Sequence, residues 1–213
     1  DVIGATMSLG QVSEIVFMLV MPFFFKRLGV KWMLAVGMLA WVARYALFAL
    51  GAPEQVRWMV LSGILLHGIC YDFFFVTGQI YTDRIAPRAI RGQAQGLLVF
   101  FTLGIGMFIG AQVAGMVETR YTTEASHAFA SEIAESQATI ETLVEQQQIG
   151  SESANVQPQI DRIRLETIPH LRKEQLKAID WRPLWGVPAA FAAAVLLIFI
   201  TFFRDNNKLE HPA

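Results

Sequence analysis

An all-α integral membrane fold is the class this sequence predicts: five transmembrane helices and a helical hairpin inserted outside the bilayer. Three observations predict it. The chain of 213 residues is 54% hydrophobic and only 16% charged, with a mean hydropathy of +0.43, which is too apolar for an ordinary soluble domain. Five apolar runs, roughly 4–25, 32–51, 57–79, 95–117 and 183–203, approach or exceed the about 20 helical residues that cross a bilayer of about 30 Å. Basic residues collect at alternate junctions between those runs.

None of the runs alternates in strand fashion, and a spanning segment must satisfy its backbone internally, so each reads as a helix. Lys26, Arg27 and Lys31 follow the first run. The short turn "GAPEQVR" separates the second from the third. Arg84, Arg88 and Arg91 follow the third. The fourth carries Gly92/Gly96, Gly106/Gly110 and Ala111/Gly115 at a spacing of four, which permits close helix contact but is common. Its Gln112 lies toward the outer end. Arg204 and Lys208 follow the fifth. Under the positive-inside rule these three basic junctions are cytoplasmic, as is the tail 206–213, and the chain starts outside and crosses five times. Because it begins at Asp1 without a signal segment, it reads as a fragment.

Residues 119–181 have a different composition, rich in Glu, Gln, Ser and Ala. Phe129, Ile133, Ile140, Leu143 and Val144 fall on one helical stripe. "QIGSESANVQP" reads as a turn. A looser stripe follows at Ile160, Ile163, Ile168 and Leu171, interrupted by Pro169. The expectation is an extracytoplasmic helical hairpin; a partly disordered polar loop is the alternative.

Several classes are excluded. A net charge of −1 offers no nucleic-acid footprint. The single cysteine, Cys70, makes neither an intrachain disulfide nor a cysteine cluster for metal, and reads as an inert small hydrophobe. No nucleophile–base or metal spacing supports an enzyme, and no cofactor is expected.

The informative residues are polar groups inside the apolar runs. Helical rise places Glu14 about 18 Å, Arg44 about 20 Å, Tyr71 and Asp72 about 17 Å and His67 about 24 Å from the cytoplasmic ends of their spans. They therefore share a slab near the midplane, where each charge costs about 2.5–3.5 kcal/mol. Gln11 and Glu14 lie on one face of the first span. His67 and Tyr71 lie on one face of the third, and Asp72 points about 100° away. Arg44, on the preceding helix at matching depth, is the expected ion-pair partner of Asp72, a structural salt bridge in preference to ligand contact. Glu14 has no other basic group at its depth, which favours a functional role. For Gln11, His67 and Tyr71, satisfied interhelical hydrogen bonds and substrate contacts are both open readings. The Phe73–Phe75 cluster reads as packing.

"MSLGQVSEIVFMLVMPFFFKRLGVK" and "HGICYDFFFVTGQIYTD", followed by "RGQAQG", resemble the nucleoside:proton symporter family of the major facilitator superfamily. The last run, "DWRPLWGVPAAFAAAVLLIFITFF", is similar to that family's final span. The resemblance implies twelve spans in two halves, of which this chain holds eight to twelve. Residues 1–118 would be spans eight to eleven, 119–181 an insert, 182–205 the last span and 206–213 the tail. The insert departs from compact members, whose loop there is short.

The family's "GQxSE" motif falls on "GQVSE", and implies substrate binding by Gln11 and Glu14 and proton coupling by Glu14. Its positions on span ten fall on His67 and Tyr71, where the family commonly has Tyr and Phe. The acidic residue that follows is kept, as Asp72. The expected function is proton-coupled uptake of a nucleoside or related small polar solute by alternating access. Protons are the coupling ion, the missing N-terminal half completes the site, and the location is a bacterial inner membrane with the C-terminus inside. The rival expectation is a non-transporting sensor or scaffold whose outer hairpin binds a partner.

Overall fold

A computed structural model describes residues 2–148 and 156–204. The chain divides into two compact units: residues up to Val117 together with those from Trp181 onward, and Glu118–Asp180. The turn expected over 148–158 and the tail 206–213 fall wholly or mostly outside the described residues.

Among the described residues four helical stretches are long and apolar enough to cross a membrane, Gly4–Gly51, Arg57–Ile85, Arg88–Tyr121 and Trp181–Phe202, all wholly or mostly in the first unit. The first of these, helical from Val2 to Gly51, is not one rod. Gly29 sits at φ 69° and ψ 176°, a backbone state that a side chain would resist, and divides it into α1 (residues 2–28) and α2 (residues 30–51). His67 contacts both Glu14 and Arg44, each fifteen residues from Gly29. Along a straight helix those two would lie about 45 Å apart. The chain therefore reverses at Gly29, and α1 and α2 both flank the next helix.

The turn after α2 is closed by Ala52 N–H to Phe48 O at 3.0 Å and Val56 N–H to Gly51 O at 2.8 Å. Helix α3 (Arg57–Ile85) follows. A turn at Leu66 interrupts it, and a π-helical segment covers Tyr71–Val76. Such segments recur at functional sites. Phe73 leaves this segment to join Met21 and Met33 in the buried core, with Phe17, Phe24 and Val36 packed around them. The Phe17 and Phe73 rings meet edge to face at 6.2 Å.

Helix α4 (Arg88–Tyr121) opens with a 3-10 turn and contains a second π-helical segment, Phe100–Gly106. Its most apolar stretch buries none of its residues. Helix α7 (Trp181–Phe202) packs along the residues before Gly51: Trp185 stacks on Tyr45 at 5.9 Å and meets Phe48 at 5.0 Å. At its other end Lys31 Nζ donates to Ile200 O at 2.9 Å. Arg84 lies over the Phe25 ring at 5.0 Å, and Arg91 pairs with Asp83 at 3.6 Å. The basic junctions of α1 and α3 thus gather at one end of the unit, with Ile200 of α7 beside Lys31.

In the second unit α5 (Glu124–Gln148) packs against the helical stretch Gln157 to Lys177, α6, over residues 163–177. Ile133 and Ile160 are buried and the rest of both apolar stripes is half-buried, so the stripes face inward. The base is closed by Asp180 N–H to Tyr121 O at 3.1 Å and Thr123 Oγ1 to Ala178 O at 2.6 Å. Pro169 does not interrupt α6 as expected. The π-helical segment Ile163–Thr167 runs directly into Ile168–Lys177, whose second residue is Pro169, so the irregularity a proline imposes falls in the turn before it while the helix continues.

Candidate functional site

The site is assembled where α1 and α3 touch backbone to backbone. A Cβ added at Gly68 would lie 2.6 Å from the carbonyl carbon and oxygen of Ser13 and 2.7 Å from Glu14 N. Only glycine fits there. Ser13 seals the contact: its Oγ donates to Gly10 O at 2.6 Å and accepts from Gly68 N–H at 3.0 Å. This crossing sets Glu14 directly beside His67.

His67 Nε2 is 2.8 Å from Glu14 Oε1, and His67 Nδ1 is hydrogen-bonded to Arg44 Nη1. A guanidinium has only donors. Nδ1 must therefore accept, Nε2 carries the ring proton, and His67 donates to Glu14. The result is a directed chain, Arg44 to His67 to Glu14, with a positive charge at one end and a carboxylate at the other. The charges compensate each other across a neutral ring, which eases their place in an apolar layer. The side chains of His67 and Glu14 keep 30% and 24% exposure, so the chain is open to a ligand.

Tyr71 continues the His67 face, with ring centroids 6.3 Å apart, and Phe75 follows Tyr71 at 5.4 Å. These rings form an aromatic ledge that continues from the imidazole, suited to a flat apolar ring with polar edges. Gln11, three residues before Glu14, is exposed. The structure thus joins Glu14, His67 and Arg44 by hydrogen bonds and sets Tyr71 beside His67, while Gln11 stands apart from that network.

The expected Arg44–Asp72 pair does not form. Asp72 is fully buried and neither carboxylate oxygen has a hydrogen-bond partner, while Arg44 Nη1 turns to His67. The reason is register. A Cβ at Gly37 would lie 2.9 Å from Phe74 N, so α2 meets α3 at Gly37 opposite Phe73–Phe74. The two helices run in opposite senses, and seven residues further along α2 puts Arg44 level with residue 67. Asp72 lies five residues away, about 7.5 Å along the axis. Arg44 also rests against the rings of Trp41 and Phe48, at 5.7 and 5.6 Å. Sequence reading missed Ser13, Gly68 and the true partner of Arg44. The one local signal was a glycine directly after an intramembrane histidine.

A family model described as "Nucleoside H+ symporter" matches residues 2–141. The chain is 37% identical over 117 residues to the nucleoside permease NupG of Escherichia coli (strain K12), covering 54% of this chain and 28% of that protein. It is 31% identical over 211 residues to the xanthosine permease of the same organism, covering 97% of this chain and 38% of that one. The fold matches a crystal structure of the nucleoside transporter NupG with a TM-score of 0.64, at 24% identity over 94% of this chain and 37% of that chain. The chain therefore spans well under half the length of these relatives. With the matched region containing Glu14, Arg44, His67 and Tyr71 and covering most of the chain, the protein belongs to the nucleoside H+ symporter family.

Proposed function

We propose that this chain is part of a proton-coupled nucleoside uptake transporter that works by alternating access, and that Glu14 couples substrate to protons. The observation that carries the reading is Glu14 itself: an intramembrane carboxylate, one-quarter exposed and hydrogen-bonded to His67, whose ring neighbours that of Tyr71. A carboxylate accepts from hydroxyl groups of a sugar, and an aromatic ledge packs against a base. Gln11 and His67 supply further hydrogen bonds to ribose or base. Rocking of two halves about such a midplane site exposes it to each side in turn.

The reading includes five crossings, because the reversal at Gly29 turns one helical stretch into two lengths each able to span. The basic junctions face the cytoplasm of a bacterial inner membrane with the C-terminus inside, and the unit Glu118–Asp180 lies outside. No cofactor beyond the coupling proton is involved. The rest of the protein supplies the other half of the site.

Glu14→Gln keeps shape and one hydrogen-bonding edge but cannot titrate. In proteoliposomes of the full-length protein it folds and exchanges nucleoside, yet loses accumulation driven by a pH gradient. Parent-like accumulation by this variant at matched protein levels would refute the coupling role.

A further inference from the structure

We infer that Arg44 is a positioning residue for Glu14, acting through the His67 ring as a hydrogen-bond donor that locks one tautomer. This deepens the proposed reading, on whose coupling role for Glu14 it rests for its transport consequence.

Arg44 Nη1 meets Nδ1, and Glu14 Oε1 lies 2.8 Å from Nε2, so the ring is held from both sides by groups of opposite kind. A permanent donor on Nδ1 forbids a proton there. The ring can then present only an N–H to Glu14, whatever ligand occupies the site. A neutral ring so clamped does not accept a proton from Glu14, because taking one on Nε2 requires releasing the one already there, and Nδ1 is occupied. The proton that Glu14 gains or loses therefore passes to water or substrate and not to His67. Arg44 is itself held in place by the Trp41 and Phe48 rings, and Tyr71 is the ring that follows His67 on its own helix. Glu14 on α1 and Arg44 on α2 are the ionisable groups bonded to the ring; Asp72 on α3 is buried without a hydrogen-bond partner. The need is for a donor at residue 44, not for a charge. It is also a device of this chain, since it depends on an imidazole at residue 67.

The test uses the full-length protein with nitrogen-labelled histidine. The imidazole signal of His67, assigned by its loss in His67→Gln, shows Nδ1 unprotonated and Nε2 protonated from mildly acidic to mildly alkaline pH. Arg44→Met, which cannot donate, releases the lock: the signal becomes a tautomer mixture or titrates. Arg44→Gln, which donates without charge, keeps it. Arg44→Met also raises the nucleoside KM roughly ten- to hundredfold with a smaller change in kcat, as expected for loss of a hydrogen bond to a charged group, while Arg44→Gln stays near the parent. His67→Phe, which can neither accept from residue 44 nor donate to Glu14, loses proton-driven uptake. Equal tautomer signals in Arg44→Met and parent would overturn the inference, as would rescue by Arg44→Lys together with failure of Arg44→Gln. Folding is checked by thermal melts in detergent. The spectroscopic arm needs no transport, so the lock can fail while Glu14-dependent uptake stands, and uptake can fail while the lock stands.

Discussion

Helices α3 and α4 have similar composition and opposite fates. Both are long, apolar and interrupted by a π-helical segment. Yet α3 is wedged between α1 and α2, with Cys70, Asp72, Phe73 and Thr77 almost wholly buried, while α4 leaves Phe101, Met107, Phe108 and Met116 exposed. The difference teaches that hydropathy selects the solvent of a helix, not its neighbours. In an apolar medium helices gain little by burying more leucine. They associate where small residues let backbones close and where polar groups find partners. Helix α3 has both, at Gly68 against Ser13 and at His67 between Glu14 and Arg44. Helix α4 has three small-residue pairs at the favoured spacing, but Gly92, Gly96, Gly110 and Gly115 have nothing within 4 Å of a notional Cβ.

The largest effect should separate those two kinds of glycine. Gly68→Ala drives a methyl into the Ser13 backbone and should lower stability by about 3 kcal/mol, the upper range for overpacking, read as a fall in melting temperature of the detergent-solubilised protein. Gly110→Ala should be neutral or stabilise by up to about 1 kcal/mol through helix propensity. An equal loss at both positions would break the comparison, and would mean that another segment covers α4.

A smaller effect tests the corrected pairing. Had Arg44 and Asp72 formed a buried ion pair, breaking it would cost about 3–5 kcal/mol. With both Asp72 oxygens unpartnered, Asp72→Asn breaks no ion pair and should lower stability by no more than about 1 kcal/mol, read from the melting temperature. A loss on the scale of a broken pair would restore the original assignment.

The smallest effect lies in the second unit, where polar pairs are exposed. Lys177 Nζ bonds Glu174 Oε1 at 2.7 Å, and this hydrogen bond holds the Glu174 carboxyl below its usual range. A lowered carboxylate favours the fold above its unfolded value, and that contribution fades as pH falls through the folded one. Lys177→Ala should return the carboxyl toward the ordinary range in an NMR titration, with no measurable change in unfolding at neutral pH. A clear loss of stability there would show that this pair supports the unit by more than an exposed pair usually does.

The membrane character, the helices and the separate composition of residues 119–181 follow from the sequence by itself, because each depends on local content: apolar length, basic junctions and helical stripes. Glu14, Gln11, His67 and Tyr71 were legible as candidates because polar groups in apolar runs are rare and helical spacing assigns their faces. Depth arithmetic also placed Arg44 in the right layer. It did not choose Arg44's partner, since a layer several ångströms thick contains both His67 and Asp72. That choice came from two close backbone contacts, Gly37 on Phe73–Phe74 and Gly68 on Ser13, which fix the registers of α2 and α1 against α3 to within a residue. Register is a property of two helices meeting, and a one-dimensional pattern carries only the face and depth of each. The reversal at Gly29 and the passage of α6 through Pro169 belong to the same class. Both glycine and proline announce a change of backbone; only the packed structure decides whether the chain turns back or carries on.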